Sequence, residues 1–350
     1  MTDLKGLTTF RLSRPPVSGV LRPRVLISAV VLLGIGFMLF CLGMTIGDRD
    51  LGLGQVIASL FSQGEYLDQV VVYDWRLPRA LLGLLVGLTF GMSGALFQTI
   101  TRNPLASPDV IGISGGASVA VVLGIVFGIG AGLGSQTLGL IGGIGAAVLI
   151  YVLAWNRGTT GYRIVLVGVG VSWMCVSATT YLLARAELYE AQQIVGWLVG
   201  NLNDATWTSV TPLLIASAVL VPIAIVLSGW LGNLHLGDDV AIGLGTPVQH
   251  ARLVLLLLGV GMVAFGTAAA GPVAFVALAA PQIAKRVAGT ASPPLVTSGI
   301  TGAIVVLGSD LLARTVFPNT PLPVGVITGV LGAPFLLWLL TRANRAGSGG

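Results

Sequence analysis

The chain has 350 residues, of which 55% are hydrophobic and only 9% are charged, whereas about a quarter of the residues in a soluble domain are charged. This composition excludes an ordinary water-soluble protein. Apolar runs near the roughly 20 residues that cross a bilayer recur from Val25 almost to the C-terminus. The sequence therefore predicts one all-α integral membrane domain.

The net charge of +5 is spread between hydrophobic segments and does not form a cluster with aromatic residues. Nucleic-acid binding is therefore not expected. Cys41 and Cys175 each lie in an apolar stretch without a second cysteine nearby, so we interpret them as small hydrophobic residues. The two histidines, His235 and His250, are fifteen residues apart, and we predict no metal site in the chain.

The N-terminus contains several basic residues ahead of the first apolar run, residues 25–42. A secretory signal peptide has to be considered, but the run is long for one and no small-residue cleavage site follows it. We therefore interpret it as a retained first span that follows a basic cytoplasmic arm, residues 1–24. The glycine-containing C-terminus, residues 342–350, is predicted to be a flexible cytoplasmic tail.

Hydropathy, with glycine, proline and charge as boundaries, predicts ten spans in one transmembrane permease domain, residues 25–341. The eighth span is too short to cross a bilayer as a straight helix, so hydropathy alone allows nine or ten. The predicted spans cover residues 25–43, 80–101, 109–129, 133–154, 163–184, 207–229, 253–271, 273–284, 295–316 and 324–341.

Lysine and arginine accumulate on the cytoplasmic side of membrane proteins. If the N-terminus is cytoplasmic, thirteen of the 18 basic residues fall on the cytoplasmic side and five on the outer side. This distribution predicts a multi-pass protein of the plasma or inner membrane with both termini in the cytoplasm.

Glycine is abundant, with 50 residues, and is often spaced by four positions. Gly83, Gly87 and Gly91 form one such series, and Gly139 and Gly143 form another. Small faces let transmembrane helices approach closely, since lipid provides no hydrophobic drive for their association. The spacing favours a tightly packed bundle, although a glycine-rich genome would give a similar composition.

The spans contain almost no fixed charge, and Asp310 is the main exception. Such an acid can be functional, but it precedes Arg314 by four residues and could form an i,i+4 ion pair. A secondary transporter would be expected to have more intramembrane acids, and an enzyme a cluster of catalytic side chains. The sequence also contains no GxxxxGK[ST] phosphate-binding motif, so another subunit must hydrolyse any ATP that is used.

Arg76 and Arg79 flank a Leu-Pro pair where an outer loop enters the second span. Their guanidinium groups could extend to lipid head groups or bind carboxylates of a partner protein, and the spacing leaves both roles open. At the inner face, Pro104 and Pro108 predict a tight turn. The longest cytoplasmic connection, residues 236–247, is an amphipathic stretch bracketed by glycines, which is typical of a short helix that docks in a partner's groove.

Taken in order, these motifs resemble the FecCD-type permease family of ABC (ATP-binding-cassette) importers for iron-siderophores, haem and vitamin B12. The resemblance extends from the loop before Arg76 to about Leu340. It rests on Arg76, Leu77, Pro78 and Arg79; Gly94, Ala95 and Gln98; residues 102–108 (RNPLASP); Gly112, Ile113, Ser114, Gly116 and Ala117; Trp197 and Gly200; residues 236–244; residues 271–276 (GPVAFV); Pro281; Asp310, Ala313 and Arg314; Pro323, Val324 and Gly325; and Gly332, Ala333 and Pro334.

The resemblance implies a type II ABC importer permease with about ten transmembrane helices and no enzymatic activity or cofactor of its own. Its expected partners are a second permease subunit, identical or paralogous, two cytoplasmic ATPase subunits that hold ATP-Mg, and an extracytoplasmic substrate-binding protein. The implied cargo is an iron-siderophore complex. Haem and vitamin B12 remain alternatives within the family, and a secondary transporter is a more remote one.

The resemblance also implies roles for particular residues. The expected docking residues for the binding protein are Arg76, Arg79 and Arg314. The expected ATPase-coupling residues are Leu236, Gly237, Val240, Ala241, Leu244 and Gly245. The expected cytoplasmic gate consists of Thr159, Thr160 and Gly161, and the expected pathway residues are Gln98, Asn103 and Pro104.

The sequence departs from the family pattern at three positions. Gln282 stands where family members commonly have histidine, Ala277 where they have glycine, and Pro321 where they have glutamate. The last change removes a charge that the pattern places near the outer mouth, so a role for that charge is in doubt here.

Overall fold

The computed structural model describes residues 8–13, 16–21, 23–47, 49–155, 161–316 and 322–347. Two short strands near the N-terminus, β1 (Thr8–Ser13) and β2 (Pro16–Leu21), pair as an antiparallel hairpin, and the other regular elements in these ranges are helices. The helices are α1 (Pro23–Thr45), α2 (Leu53–Leu60), α3 (Tyr66–Val70), a π-helical segment (Val71–Arg76), α4 (Leu77–Thr101), α5 (Ile113–Val126), α6 (Gly130–Ala154), α7 (Gly161–Arg185), α8 (Leu188–Leu198), α9 (Trp207–Val226), α10 (Ser228–His235), α11 (Asp238–Gly243), α12 (Val248–Ala270), α13 (Val276–Ala288), α14 (Leu295–Val316) and α15 (Val324–Gly347).

Each of the ten predicted spans coincides with a helix, namely α1, α4, α5, α6, α7, α9, α12, α13, α14 or α15. Within the described ranges, seven helical stretches are long and apolar enough to cross a membrane. Helix α5 and the stretch Val324–Trp338 of α15 are apolar but shorter, and α13 has only 13 residues, in line with the predicted short eighth span. The chain is therefore an all-α, multi-pass membrane protein with about ten transmembrane helices.

Helix α4 lies at the centre of the bundle and contacts α9, α12, α13 and α14. Its side chains Phe90 and Phe97 are fully buried. The helix continues towards its N-terminus through the π-helical segment into α3, so that one helical stretch runs over Tyr66–Thr101. The hydropathy boundary at residue 80 missed this extension because the segment contains charged residues.

Helices α4 and α14 pack through glycine. A methyl group on Gly87 would overlap the backbone of Gly302 and Ala303, and one on Gly91 would overlap the backbone carbonyl of Ser298. Small residues at a helix interface let backbones approach and increase van der Waals contact. The predicted small face on residues 83–91 is therefore confirmed as the seam between these two helices.

The connection between α12 and α13 is a break in helical structure inside the bundle. Gly271 has a φ of 75°, a conformation that glycine adopts without a Cβ clash. The neighbouring turn packs on the break, because the backbone N–H of Asn201 donates to the carbonyl of Ala270 at 2.8 Å. Non-helical backbone within a membrane is tolerated where protein surrounds it. The break explains why α13 is too short to span a bilayer alone.

The glycine seam predicts that Gly87→Ala destabilises the protein. The added methyl group forces α4 and α14 apart, and overpacking of this kind costs about 1–3 kcal/mol. Gly145→Ala is the matched control, since no neighbouring atom lies within 4 Å of the place that its new methyl group would take on α6. That change should only add the usual advantage of alanine in a helix, about 0.5–1 kcal/mol. Thermal stability of the two purified variants should therefore shift in opposite directions; equal stability would contradict the seam.

Candidate functional site

Charged side chains lie at the two ends of α4, with a large apolar core between them. At the N-terminal end, Arg79 and Arg314 contact Asp310; we call these three residues the Arg79 cluster. At the C-terminal end, Arg102 and Arg252 contact Asp238; we call these the Asp238 cluster. The two clusters are the candidate sites for contact with other proteins.

In the Arg79 cluster, one carboxylate holds two guanidinium groups. Arg79 donates from Nη2 to Asp310 Oδ1 at 2.7 Å and from Nε to both carboxylate oxygens at 3.0 and 3.2 Å. Arg314 Nη2 lies 3.0 Å from Asp310 Oδ2, which confirms the predicted i,i+4 pair. The Asp310 side chain is only 5% exposed, whereas both arginines reach the surface in part. Two cations against one anion leave the Arg79 cluster with a net positive charge.

Arg76 has a different environment from Arg79. Its residue surface is only 7% exposed, and its Nη1 donates to the carbonyl oxygens of Met44 at 2.8 Å and Thr45 at 2.9 Å. Its Nη2 donates to the carbonyl of Arg49. A cation at the end of a helix satisfies carbonyls that have no partner within the helix. Arg76 therefore anchors the C-terminus of α1, and the two arginines that the sequence paired face different groups.

A third ion cluster, which the sequence analysis missed, lies next to Arg76. Arg49 Nη2 is 2.9 Å from Glu65 Oε2 and 3.0 Å from Asp68 Oδ1. Arg49 lies on the loop after α1, and the two acids lie at the start of α3. These contacts tie the loop after α1 to α3, which continues through the π-helical segment into α4. Arg49 is 16 residues from Glu65, and this spacing does not follow the period of a single helix, so the sequence pattern could not predict the pair.

In the Asp238 cluster, the first residue of α11 binds arginines from two other helices. Arg102 Nη2 lies 2.6 Å from Asp238 Oδ1, and Arg252 Nη2 donates to the two Asp238 oxygens at 3.0 and 2.9 Å. The Arg252 side chain is 4% exposed. The sequence analysis treated the turn at 102–108 and the stretch at 236–247 as separate features, and the fold brings them together.

The predicted coupling segment contains a shorter helix than expected, because α11 covers only six residues. The flanking glycines have positive φ angles, 114° at Gly237 and 77° at Gly245, which residues with a side chain rarely adopt. Ala241, predicted at the partner contact, is fully buried and so faces the bundle. The exposed apolar side chains of this segment are Leu236, Val240, Ile242 and Leu244. The sequence analysis predicted three of these at the partner contact and omitted Ile242.

The predicted pathway residues lie in two different settings. Gln98 is buried, donates from Nε2 to the carbonyl of Leu278 at 3.1 Å and accepts from Gln282 Nε2 at 2.6 Å. These bonds join α4 to α13. Gln282, which departs from the family pattern, thus has Gln98 as a hydrogen-bond partner. Asn103 stabilises its own turn, since its Oδ1 accepts from the backbone N–H of Leu105 at 2.9 Å, and Pro104 is exposed in that turn.

The predicted gate falls largely outside the described residues. Thr159 and Thr160 lie outside them, as does Pro321, and Gly161 is the first residue of α7. Over the parts of the chain that the structure describes, no group of three histidine, cysteine or acidic residues could hold a metal ion.

Asp109 is a partly buried carboxyl group in the turn between α4 and α5. Its Oδ1 accepts a hydrogen bond from Ser114 Oγ at 2.5 Å, and that hydroxyl lies 3.3 Å from Thr267 Oγ1. Burial raises the pKa of Asp109 from 3.8 to about 6, against the lowering effect of the Ser114 hydrogen bond. The sequence analysis did not single out this residue.

Comparison with known proteins identifies the family. Residues 32–342 match the model of the FecCD transport family. The chain belongs to this family. Its relatives include the ferric enterobactin transport system permease protein FepG of Escherichia coli, 38% identical over 92% of this chain and 96% of FepG. Another is the iron(3+)-hydroxamate import system permease protein FhuG of Bacillus subtilis, 34% identical over 92% of this chain and 98% of FhuG.

A solved structure shares the fold. It is described as an inward-facing conformation of a metal-chelate type ABC transporter, and it is 24% identical to this chain. The match covers 91% of this chain and 99% of the other, with a TM-score of 0.77. The predicted ABC permease architecture is therefore confirmed at the level of the fold.

The raised pKa of Asp109 predicts a pH-dependent effect of Asp109→Asn. The folded protein binds the proton more tightly than the unfolded chain, so ionisation of this carboxyl lowers stability as the pH rises from about 4 to about 6. Asparagine can still accept the Ser114 hydrogen bond but does not ionise. We expect the variant to gain on the order of 2 kcal/mol over the wild type at pH 7.5 and clearly less at pH 5.

Thermal unfolding of the purified proteins at both pH values measures this gain. Asp239→Asn, at an exposed position, serves as the control for the loss of one carboxylate. A gain from Asp109→Asn that does not change with pH would contradict the interpretation.

Proposed function

We propose that this chain is the transmembrane permease subunit of an ABC importer that moves an iron-siderophore complex from a binding protein into the cytoplasm. The observation that carries this proposal is the similarity, over nearly the whole chain, to permeases named for ferric enterobactin and iron(3+)-hydroxamate transport. The sequence contains no phosphate-binding motif of its own. ATP-Mg is therefore assigned to two partner ATPase subunits, and the chain itself needs no cofactor.

The charge distribution supports an inner-membrane orientation with both termini in the cytoplasm. The end of the bundle with the Asp238 cluster then faces the cytoplasm, and the end with the Arg79 cluster faces the binding protein. A second permease subunit completes the pathway. The basic residues follow the positive-inside rule in this orientation.

The Arg79 cluster is suited to dock a protein that presents acidic residues. Arg79 and Arg314 are both partly exposed, and Asp310 neutralises only one of their two charges. Charge-assisted hydrogen bonds from a planar guanidinium to a carboxylate are strong and directional. We assign docking to these two arginines, whose side chains are 18% and 19% exposed. Arg76 is given an indirect role, because it is only 7% exposed and its guanidinium group holds the end of α1.

The surface of the α11 segment is suited to bind the ATPase subunits. Leu236, Val240, Ile242 and Leu244 are exposed beside the charged Asp238 cluster. A contiguous apolar patch with a polar surround is typical of a protein interface. A short helix with this surface can fill a groove on a partner.

Neutralising the Arg79 cluster as a unit should weaken docking. The variant is Arg79→Gln, Asp310→Asn and Arg314→Gln together, because removing the arginines alone would leave Asp310 buried without a counter-ion. Lost charge-assisted hydrogen bonds cost about 1.5–3 kcal/mol each, so we expect the affinity of the binding protein to fall at least about tenfold. Surface-binding measurements on the complex in nanodiscs report this affinity.

Two controls separate docking from folding. Asp310→Asn alone keeps both positive charges and should preserve docking. Arg185→Gln removes a charge from an exposed arginine at the end of α7 and should have little effect. The assignment fails if the triple variant, once shown to be folded by size-exclusion chromatography, still docks with wild-type affinity.

Replacing Val240 and Leu244 by aspartate should disrupt the ATPase contact. The change would bury unpaired charge at the interface, at a cost of several kcal/mol. We expect the ATPase subunits to be lost during co-purification, or ATP to be hydrolysed without uptake of radioactive iron-siderophore into proteoliposomes. Gln249→Asp is the control for a new aspartate at an exposed position on the same end. Wild-type assembly and uptake in the double variant would refute the assignment.

A further inference from the structure

The described ion pairs of α11 all involve Asp238, which binds one arginine directly after α4 and one within α12. Arg102 follows the last residue of α4, and Arg252 lies in the first turns of α12. Both guanidinium groups bind the same Asp238 oxygen, at 2.6 and 3.0 Å, and Arg252 also binds the other at 2.9 Å. A displacement of Asp238 therefore acts on α4 and α12 at once.

The two pairs differ in strength. The Arg252 side chain is 4% exposed, and Asp238 provides a carboxylate for this buried charge. The Asp238 side chain is itself 41% exposed, so only the arginine of this pair is buried, and removing the carboxylate takes a counter-ion from that buried charge. The Arg102 side chain is 45% exposed, and an exposed pair contributes little stability. The Arg252 contact is therefore costly to break. The Arg102 contact adds little stability but orients Asp238 towards the end of α4.

The local backbone makes such a link necessary. Helix α11 has only six residues, too few to be stable without tertiary contacts. Gly237 and Gly245 flank the segment with positive φ angles, so neither connection continues as a helix into α10 or α12. One further bond, from Asn233 Nδ2 to Thr246 Oγ1 at 2.8 Å, closes the loop around α11. Force applied to α11 therefore needs side-chain contacts to reach the long helices.

We propose that Asp238 is the positioning residue that passes the displacement of α11 to α4 and α12 during transport. This inference rests on the proposed function, in which ATPase subunits move α11. Helix α4 contacts α14 and α13, and α12 leads to the break at Gly271, so a movement shared by α4 and α12 reaches the centre of the bundle. The ATPase subunits bind the apolar surface of α11, and Asp238 transmits their movement without being required for their binding.

The test uses the permease–ATPase complex in nanodiscs and proteoliposomes with the ligand-loaded binding protein. In Asp238→Asn we expect the ATPase subunits to co-purify as in the wild type, while iron-siderophore uptake per ATP hydrolysed falls by about 5- to 100-fold. Asp239→Asn removes the same charge from the next position of α11, where the side chain is exposed, and should retain wild-type coupling. Asp238→Glu keeps the carboxylate and should recover part of the uptake.

Arg102→Gln is the second variant, chosen because it breaks the contact with the end of α4 and keeps the Asp238 carboxylate beside the buried Arg252. We expect it to fold and to lower uptake per ATP. The effects of Arg102→Gln and Asp238→Asn on uptake per ATP should be non-additive in the double variant, since both changes remove the Arg102–Asp238 ion pair. A merely structural role would lower thermal stability and uptake together and would leave uptake per ATP unchanged.

Several outcomes would overturn the proposal. They are wild-type uptake per ATP in Asp238→Asn or in Arg102→Gln, loss of the ATPase subunits from a folded Asp238→Asn protein, or an equal defect in Asp239→Asn. Failure of the proposed function is a different result, because then the wild-type complex itself would show no ATP-dependent uptake.

Discussion

The close approach of α4 to its neighbours is the constraint on which the bundle depends. Gly87 and Gly91 place the backbone of α4 directly against that of α14, and Gly94 does the same against Ala277 of α13. In a bilayer, helices gain little from hiding apolar side chains, so contact area has to come from shape. The central helix can touch several others only because its glycines leave room for their backbones.

This packing leaves charged groups at the two ends of α4, where each can find partners. Asp310 shares its charge between Arg79 and Arg314, and Asp238 between Arg102 and Arg252. In each cluster one carboxylate binds two arginines, so the cluster has a net positive charge. Both clusters lie beside surfaces that are suited to bind other proteins. Among the residues that the structure describes, the core between the two clusters is built from apolar side chains.

The candidate site was predictable wherever the functional residues are close in the chain. The Asp310–Arg314 pair follows from one helical turn, and three of the four exposed apolar residues of the 236–247 segment, Leu236, Val240 and Leu244, follow from its pattern. Arg76 illustrates the opposite case, since its spacing from Arg79 suggested a shared role and its burial against α1 assigns it another. The sequence analysis placed Ala241 at the partner contact and left out Ile242, whereas the structure buries Ala241 and exposes Ile242. The length of α11, and hence the face that it presents, depends on its packing against the bundle.

The sequence by itself determined the membrane setting, the approximate positions of the ten spans and the faces on which helices approach closely, because hydropathy and glycine spacing act within single segments. Only the tertiary structure decided which charges from different elements meet. Arg102, Asp238 and Arg252 lie on three different elements, and Arg79 is 231 residues from Asp310. An ion pair between different elements is a short-range contact between side chains, so its partners are set by helix packing and have no period in the sequence.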